Sequence, residues 1–512
     1  MSSETENTKR IAKNTLMLYM SMLVTMFVSF YTTRVILQAL GEDDYGLLGL
    51  VGAIIGMMGI ITSLLAGGTS RFITIALGKD NREELKNTFS SSLTIHLALA
   101  AIIFFIGELF GPGMVDNLNI ASERLSAAHC VFQFSLISAV IGIIQSPFHG
   151  TIVAHEKMSV YACLNVFDVI AKLLIAYLLL AVNVDKLKLY SSFYFCVSLL
   201  IALIYYFYCK INFDECKGIK IKADWNLYKE ILNYSGWNTC GAVANTMNAQ
   251  GITILLNMFG TAVIAARGIA GSISNVVYNF VANFQTAVRP QVFKLYSVND
   301  LFGMNNLVIR TSKFSSYLTG FIGIPLFIEM DYVLNLWLGQ VPLYTTTFAR
   351  LSLIQGLIQA IDLPIGTGIH AVGKMKLPNI TSSFIYMAIL PLSFVAIKLG
   401  ASPTVTYVII ICVYPMAFFM DLYILNRYTK FPVSKYLAKE ILPSIIFITI
   451  TYFITDKVIN NLLLPSFMRV VCTTIISSAI FLSLVYIGGL TDGERGYIVA
   501  NLKRKVGLIW KK

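Results

Sequence analysis

The chain has 512 residues, of which 56% are hydrophobic and only 13% charged, with a mean hydropathy of +0.71 and a formal net charge of +12. A soluble chain of this length would divide into several domains and carry roughly a quarter charged residues. Apolar stretches of about 20 residues, each able to cross ~30 Å of hydrocarbon, recur from end to end instead, and a β-barrel would show alternating segments of ~10 residues.

The sequence therefore reads as an all-α polytopic membrane protein. Its first predicted span covers 14–40, too long for a cleaved signal peptide and followed by no small-residue cleavage site. It carries Arg34 and stops at "GEDDYG" (41–46), a turn with three acids and no base. The second span, 46–66, sets Gly52 and Gly56 at the spacing that lets membrane helices approach closely, so helix packing is favoured over a substrate contact. Spans three to six fall at 89–110, 127–148, 159–181 and 190–209. In the fifth, Asp168 and Lys172 stand one helical turn apart, either as an internal ion pair or as functional charges.

The basic stretch "CKINFDECKGIKIKADWNLYKE" leads to spans seven (228–258) and eight (262–286). Span seven carries Asn238, Asn245, Asn248 and Gln250. In span eight Arg267, Gly271, Asn275, Asn279 and Asn283 recur every four residues, nearly one helix face. Amides facing lipid would lie unsatisfied. That face is expected to line a cavity, with interhelical hydrogen bonding as the alternative.

The remaining spans fall at 312–334, 346–369, 378–398, 404–425, 440–456 and 468–489. The tenth holds Arg350 and "QGLIQAIDLPIGTG", where Gln355, Gln359 and Asp362 share a face and Pro364 is expected to kink or break the helix. A membrane-buried carboxylate beside a break is a candidate proton or sodium site, or else a partner for a nearby cation. "GIHAVGK" (368–374) matches a phosphate-binding loop up to its lysine. Met375 stands where Ser or Thr should hold magnesium, and a membrane helix precedes it instead of a strand, so the match is read as coincidence. Eight cysteines without a C-x-x-C pair and five scattered histidines point to no metal site or cofactor, and no catalytic signature points to an enzyme.

The bases test the layout. With the N-terminus inside, 29 lysines and arginines fall on that side and six on the other (Arg124, Lys186, Lys188, Lys398, Lys457, Arg469), leaving Arg34, Lys172, Arg267 and Arg350 within helices. This fits fourteen spans with both termini cytoplasmic. The net charge is then mostly topology, and nucleic acid is not an expected partner.

An internal repeat supports two lobes. Residues 34–71 run from Arg34 through Gly41 to Arg71, and 253–289 from Thr253 through Gly260 to Arg289. Glu108 and Glu329 follow at matching outer helix ends. Six spans separate the copies, so both enter with the same orientation, with an axis along the membrane normal and a central cavity expected between them. The expected organisation is an N-terminal lobe (1–209), a cytoplasmic linker (210–230), a C-terminal lobe (231–426), and two appended helices with a basic tail (427–512). Each buried cation costs about 2.5–3.5 kcal/mol at mid-bilayer. Four of them put positive charge in the outer half and favour an anionic cargo.

These features together, above all "TRVILQALGEDDYGLLGLVG" (33–52), "GGTSRFITIALGKDN" (67–81) and "PLFIEMDYVLNLWLGQVP" (325–342), resemble the polysaccharide flippase branch of the multidrug/oligosaccharidyl-lipid/polysaccharide exporter superfamily. The resemblance spans nearly the whole chain. It implies a bacterial cytoplasmic-membrane flippase for an undecaprenyl-pyrophosphate-linked oligosaccharide of O-antigen, lipopolysaccharide or capsule synthesis. Alternating access, a cationic cavity and polysaccharide polymerase machinery as a partner come with it. On this reading Arg34, Arg267, Arg350 and Lys172 meet the headgroup phosphates. Asn245, Asn275, Asn279 and Asn283 meet the glycan, and Asp362 and Asp168 are the ion-coupling candidates. The rivals are a cation-coupled multidrug extruder and a lipid II flippase of the same superfamily. A glycan polymerase would need a larger outer loop than residues 111–126 supply.

Overall fold

The computed structural model describes residues 2–58, 69, 72–77, 81–217, 225–462 and 464–496. Arg71, Lys79, Lys220, Lys222 and the tail lysines and arginines from Lys503 onward lie outside them, as does the side chain of Asn238. The described chain is helical throughout: α1 (Ser2–Met58), α2 (Arg82–Asp116), α3 (Leu125–Ala154), α4 (Met158–Leu180), α5 (Lys186–Asn212), α6 (Trp225–Leu256), α7 (Thr261–Ser297), α8 (Leu301–Ile328), α9 (Met330–Leu338), α10 (Thr345–Val372), α11 (Lys376–Met387), α12 (Ile389–Lys398), α13 (Val405–Thr429), α14 (Leu442–Leu462) and α15 (Phe467–Leu484). Among the described residues ten helices are long and apolar enough to cross a membrane, or eleven if α8 and α9, bent by 76°, form one span. The protein is a multi-pass membrane protein. Predicted span one and residues 46–58 of span two lie together in α1, with 59–66 outside the described residues, while α6 and α7, the amide-bearing helices, stand outside that count.

Caps and glycines set the boundaries. Asn81 accepts from the backbone of Glu83 and Glu84 at the start of α2, and Asp185 does the same for Leu187 and Lys188 at the start of α5. Both satisfy amides that a first turn leaves without partners. The repeat is visible in the backbone: Gly41 (φ 80°, ψ 175°) and Gly260 (φ 98°, ψ 168°) adopt the same conformation, which L side chains rarely enter. Gly46 has a different task. A Cβ there would overlap the Thr261 carbonyl, so this glycine is where α1 and the start of α7 meet. The GxxxG expectation is corrected at Gly52, whose missing Cβ would meet nothing within 4 Å among the described residues, whereas Gly56 does abut Gln250. Sequence spacing names glycines that could pack; only the neighbour's position decides which do.

The acidic turn finds its base from elsewhere in the chain. Arg124 Nε binds Asp44 Oδ1 at 2.8 Å, its Nη2 also contacts Asp44, and Nη1 reaches Asp185 at 3.4 Å. Thr261 donates to Asp43 at 2.7 Å. Pro364 does not end its helix, since α10 runs on to Val372. Ser312 donates to the Ile361 carbonyl at 2.8 Å, in the stretch where proline interrupts the ladder, the kind of repair that lets membrane helices keep a proline.

The chain divides into two compact units. Unit 1 comprises Met1–Ile269, Pro342–Thr345 and Ser382–Thr406; unit 2 comprises Ala270–Val341, Thr346–Thr381 and Tyr407–Lys512. Unit 1 packs α1 against α4 through Val35, Ile36 and Ala176, and α2 against α3 around Phe132 and Leu136. Unit 2 packs α8, α10 and α13 around Met304, Ile365 and Leu425. Its last helices are fastened by buried ion pairs at both ends. Glu329, 3% exposed, accepts from Arg469 Nε and Thr473 Oγ1, each at 2.8 Å. Lys313, 2% exposed, binds Glu494 at 2.8 Å and lies 3.6 Å from Glu440.

Burial alone would push the Glu494 carboxyl up, but the Lys313 ammonium and the Thr491 amide outweigh it and hold the group at about 2. Its contribution to stability is therefore complete above the ordinary Glu value of about 4.3 and is lost as pH falls toward 2. Removing one member of a buried pair strands the other charge. Glu494→Ala is expected to destabilise unit 2 by about 3 kcal/mol, read as a lower Tm in detergent. The apolar double replacement Lys313→Met/Glu494→Leu should recover most of the loss; a Tm unmoved by Glu494→Ala would refute the fastening role.

Candidate functional site

Unit 1 encloses a cavity of about 680 Å³ between α1, α3, α4 and α5, closed on one side by the start of α7. Its wall is rich in hydroxyls: ten of its 21 residues are Ser, Thr or Tyr. At its centre Lys172 Nζ binds Asp168 Oδ2 at 2.8 Å and sits 4.7 Å from the centre of the Tyr194 ring. Both sequence-selected charges of α4 thus come together as the ion pair that their spacing allowed. A second cavity of about 190 Å³ shares Ser138, Asp168 and Ser198 with the first and adds Gln145, Asn165 and Tyr205.

The other cations of unit 1 lie outside this wall. Arg34, half-buried on α1, stands within electrostatic reach of Tyr177, whose hydroxyl bonds Tyr31 at 2.6 Å. Arg267 Nη2 donates to the Ala249 carbonyl at 3.2 Å. Asn245 is exposed on α6, and it too is absent from the cavity wall. In unit 2, Asn275 and Asn279 are exposed and Asn283 half-buried along α7.

Arg350 is committed to local partners in unit 2. Its Nη2 binds Asp331 at 2.9 Å, its Nε donates to the Phe327 carbonyl at 3.1 Å, and the guanidinium lies 5.7 Å from the Phe327 ring centre. Asp362 of α10 differs. Its Oδ1 is buried with no hydrogen-bond partner among the described residues, and the same holds for Oδ1 of Asp421 on α13. The two carboxylates lie within electrostatic reach of each other, and Tyr278 and Tyr436 within reach of Asp362. The Tyr436 hydroxyl meets Ser312 Oγ at 2.6 Å, next to the Ile361 carbonyl. Asp421 was missed from sequence, although a lone acid inside "VIIICVYPMAFFMDLYIL" (408–425) is the signal that a buried carboxylate leaves. Unit 2 also holds an apolar cleft of about 330 Å³ between α8, α10 and α14, lined by Gly320, Gly323, Phe327, Leu357 and Tyr452 among others.

Residues 11–297, more than half of the chain, match the family described as "Polysaccharide biosynthesis protein". The chain belongs to that family. Among curated relatives, the uncharacterized membrane protein EpsK of Bacillus subtilis is 20% identical over 381 residues, covering 70% of this chain and 72% of EpsK. Among solved structures, the lipid II flippase MurJ in an inward closed conformation superposes with a TM-score of 0.70 at 14% identity, covering 93% of this chain and 98% of that one. An inward-facing multidrug resistance MATE transporter of the MOP superfamily reaches 0.66 at 12% identity, covering 82% and 99%. At such identities the likeness establishes the fold, which this member of the polysaccharide biosynthesis family shares with MurJ and MATE proteins.

Proposed function

We propose that this protein is a flippase rather than an enzyme, moving an undecaprenyl-pyrophosphate-linked oligosaccharide from the inner to the outer leaflet of a bacterial cytoplasmic membrane by alternating access. The observation that carries the reading is the hydroxyl-lined cavity inside a membrane-embedded helical unit, in a chain of a polysaccharide biosynthesis family. A membrane protein gains nothing from burying that much polarity unless a polar ligand enters it. The apolar cleft of unit 2 offers a complementary surface for a polyprenyl chain. Arg34 and Arg267 are the leading candidates for the pyrophosphate. Arg350, engaged by Asp331, is a weaker one. The exposed amides of α6 and α7 are proposed to contact outlying sugars. Asp362 and Asp421 are proposed to take up the coupling proton or sodium ion.

Deleting the gene in its host should abolish the surface polysaccharide, whether O-antigen or capsule, and leave lipid-linked oligosaccharide on the inner leaflet. Unchanged surface polysaccharide would refute the proposal. The lipid II flippase reading predicts arrest of cell-wall synthesis instead, and the multidrug reading predicts only altered drug sensitivity. A polysaccharide polymerase would act on the delivered product. The proposed sidedness is tested by alkaline-phosphatase fusions: inactive at Lys222, active at Asp43. The reverse pattern would overturn the orientation.

A further inference from the structure

The wall of the unit 1 cavity has a hydrogen-bonding polarity. Ser138, Ser191 and Ser198 donate to the carbonyls of Phe134, Lys188 and Tyr194 at 2.7, 2.9 and 3.0 Å, and Thr32 and Thr33 to those of Val28 and Ser29 at 2.7 and 3.1 Å. A hydroxyl has one hydrogen, and once that is spent on its own helix it offers only lone pairs. The Asp168 carboxylate adds further acceptors. A phosphate is itself an acceptor and gains nothing from these five hydroxyls, half of those in the wall. A sugar brings a donor on every hydroxyl.

The charges point the same way. The wall holds one acid and one base, Asp168 and Lys172, so its formal charge is zero. A cationic drug or a free metal ion would have to displace a tethered ammonium already 2.8 Å from the carboxylate. A pyrophosphate would meet one ammonium that Asp168 neutralises. Tyr190 and Tyr194, with ring centres 6.1 Å apart, give the wall flat faces against which the apolar side of a sugar ring can lie. The volume falls within the roughly 300–1,000 Å³ range of ligand pockets. Asp168, common to both cavities, stands where consecutive sugars would pass.

We infer that this cavity is a subsite for neutral sugars of the cargo, not for its phosphates, and that Asp168, held in place by Lys172, is the residue that reads their hydroxyls. This rests on the flippase reading and moves the principal glycan contact from the amides of α6 and α7 to α3, α4 and α5.

Gly52 gives a clean test, because it lines the cavity while a side chain there meets no atom of the described residues within 4 Å of its Cβ. The full chain in lipid nanodiscs would be titrated with glucose, galactose, rhamnose and N-acetylglucosamine, with binding followed by saturation-transfer NMR. At least one sugar should bind. Its affinity should fall tenfold or more in Gly52→Leu without loss of Tm, and likewise in the charge-neutral double variant Asp168→Asn/Lys172→Gln. Excess inorganic pyrophosphate should displace none of it. Binding by no sugar, binding that survives Gly52→Leu, or displacement by pyrophosphate would each overturn the inference. Export separates this from the broader reading. If sugars bind but gene deletion leaves the surface polysaccharide intact, translocation falls and the subsite stands. If deletion abolishes the polysaccharide and Gly52→Leu restores it fully, the subsite alone falls.

Discussion

Asp362→Asn is expected to abolish ion-driven export while the protein still inserts and folds. Two buried carboxylates in mutual reach cannot both stay ionised in a low dielectric unless a cation joins them. Asp362 and Asp421 are half-buried residues in mutual reach, and the Oδ1 of each is buried and lacks a hydrogen-bond partner among the described residues. Among the described residues neither carboxylate takes part in an ion pair, and Tyr278 and Tyr436 lie within electrostatic reach of Asp362. The pair is therefore the proposed site for the coupling proton or sodium ion. Asparagine keeps the shape and cannot carry the charge. Gradient-driven uptake into proteoliposomes should fall by two orders of magnitude or more, about 2.7 kcal/mol of lost driving interaction. Asp421→Asn should behave alike, and the double variant should be no worse than either single one, because the two act as one site. Transport by Asp362→Asn that matches the native protein over a range of pH and sodium would remove the pair from the mechanism.

What could be read in the sequence follows a physical division. Membrane class, helix positions and the repeated glycine turn were legible because each rests on local rules. Apolar runs of fixed length must be helices in lipid, and Gly41 and Gly260 mark turns because their backbone conformation strongly favours glycine. The ion pair of Asp168 and Lys172 was legible for the same reason, since four residues is one helical turn. Relations across helices were not. The ion pair of Arg350 with Asp331, nineteen residues earlier on another helix, had no signal in the sequence. Gly52 has the spacing of a packing glycine, yet no described residue lies within 4 Å of its Cβ position. The serines of α3 and α5 carried no signal at all, because a serine that bonds its own helix is common in any membrane span. Only their convergence on one cavity gives them meaning.

The arginines should separate by the partners they already hold. Arg350→Ala removes a guanidinium engaged by an exposed aspartate and a backbone carbonyl, an interaction worth at most about 1 kcal/mol where water reaches it. Its effect on export is expected to be within about fivefold. Arg34 and Arg267 are different cases. Each is a half-buried cation on a helix of unit 1, and a cation at the centre of a membrane helix costs about 2.5–3.5 kcal/mol. Arg267 Nη2 donates to the Ala249 carbonyl, and Arg34 stands near Tyr177 on the same unit. A phosphate dianion binds a guanidinium through charge-assisted, two-pronged bonds that are roughly twice as strong as neutral ones. Arg34→Ala and Arg267→Ala are therefore each expected to stop export at native protein levels, measured as surface polysaccharide in the complemented deletion strain. Lysine at either position keeps the charge but loses the planar fork, so Arg→Lys should restore export only in part. Sugar binding to the unit 1 cavity should survive both alanine variants, because neither arginine belongs to its wall. If both alanine variants export normally, the two arginines serve only to anchor their helices at the membrane boundary, and the pyrophosphate must be held elsewhere.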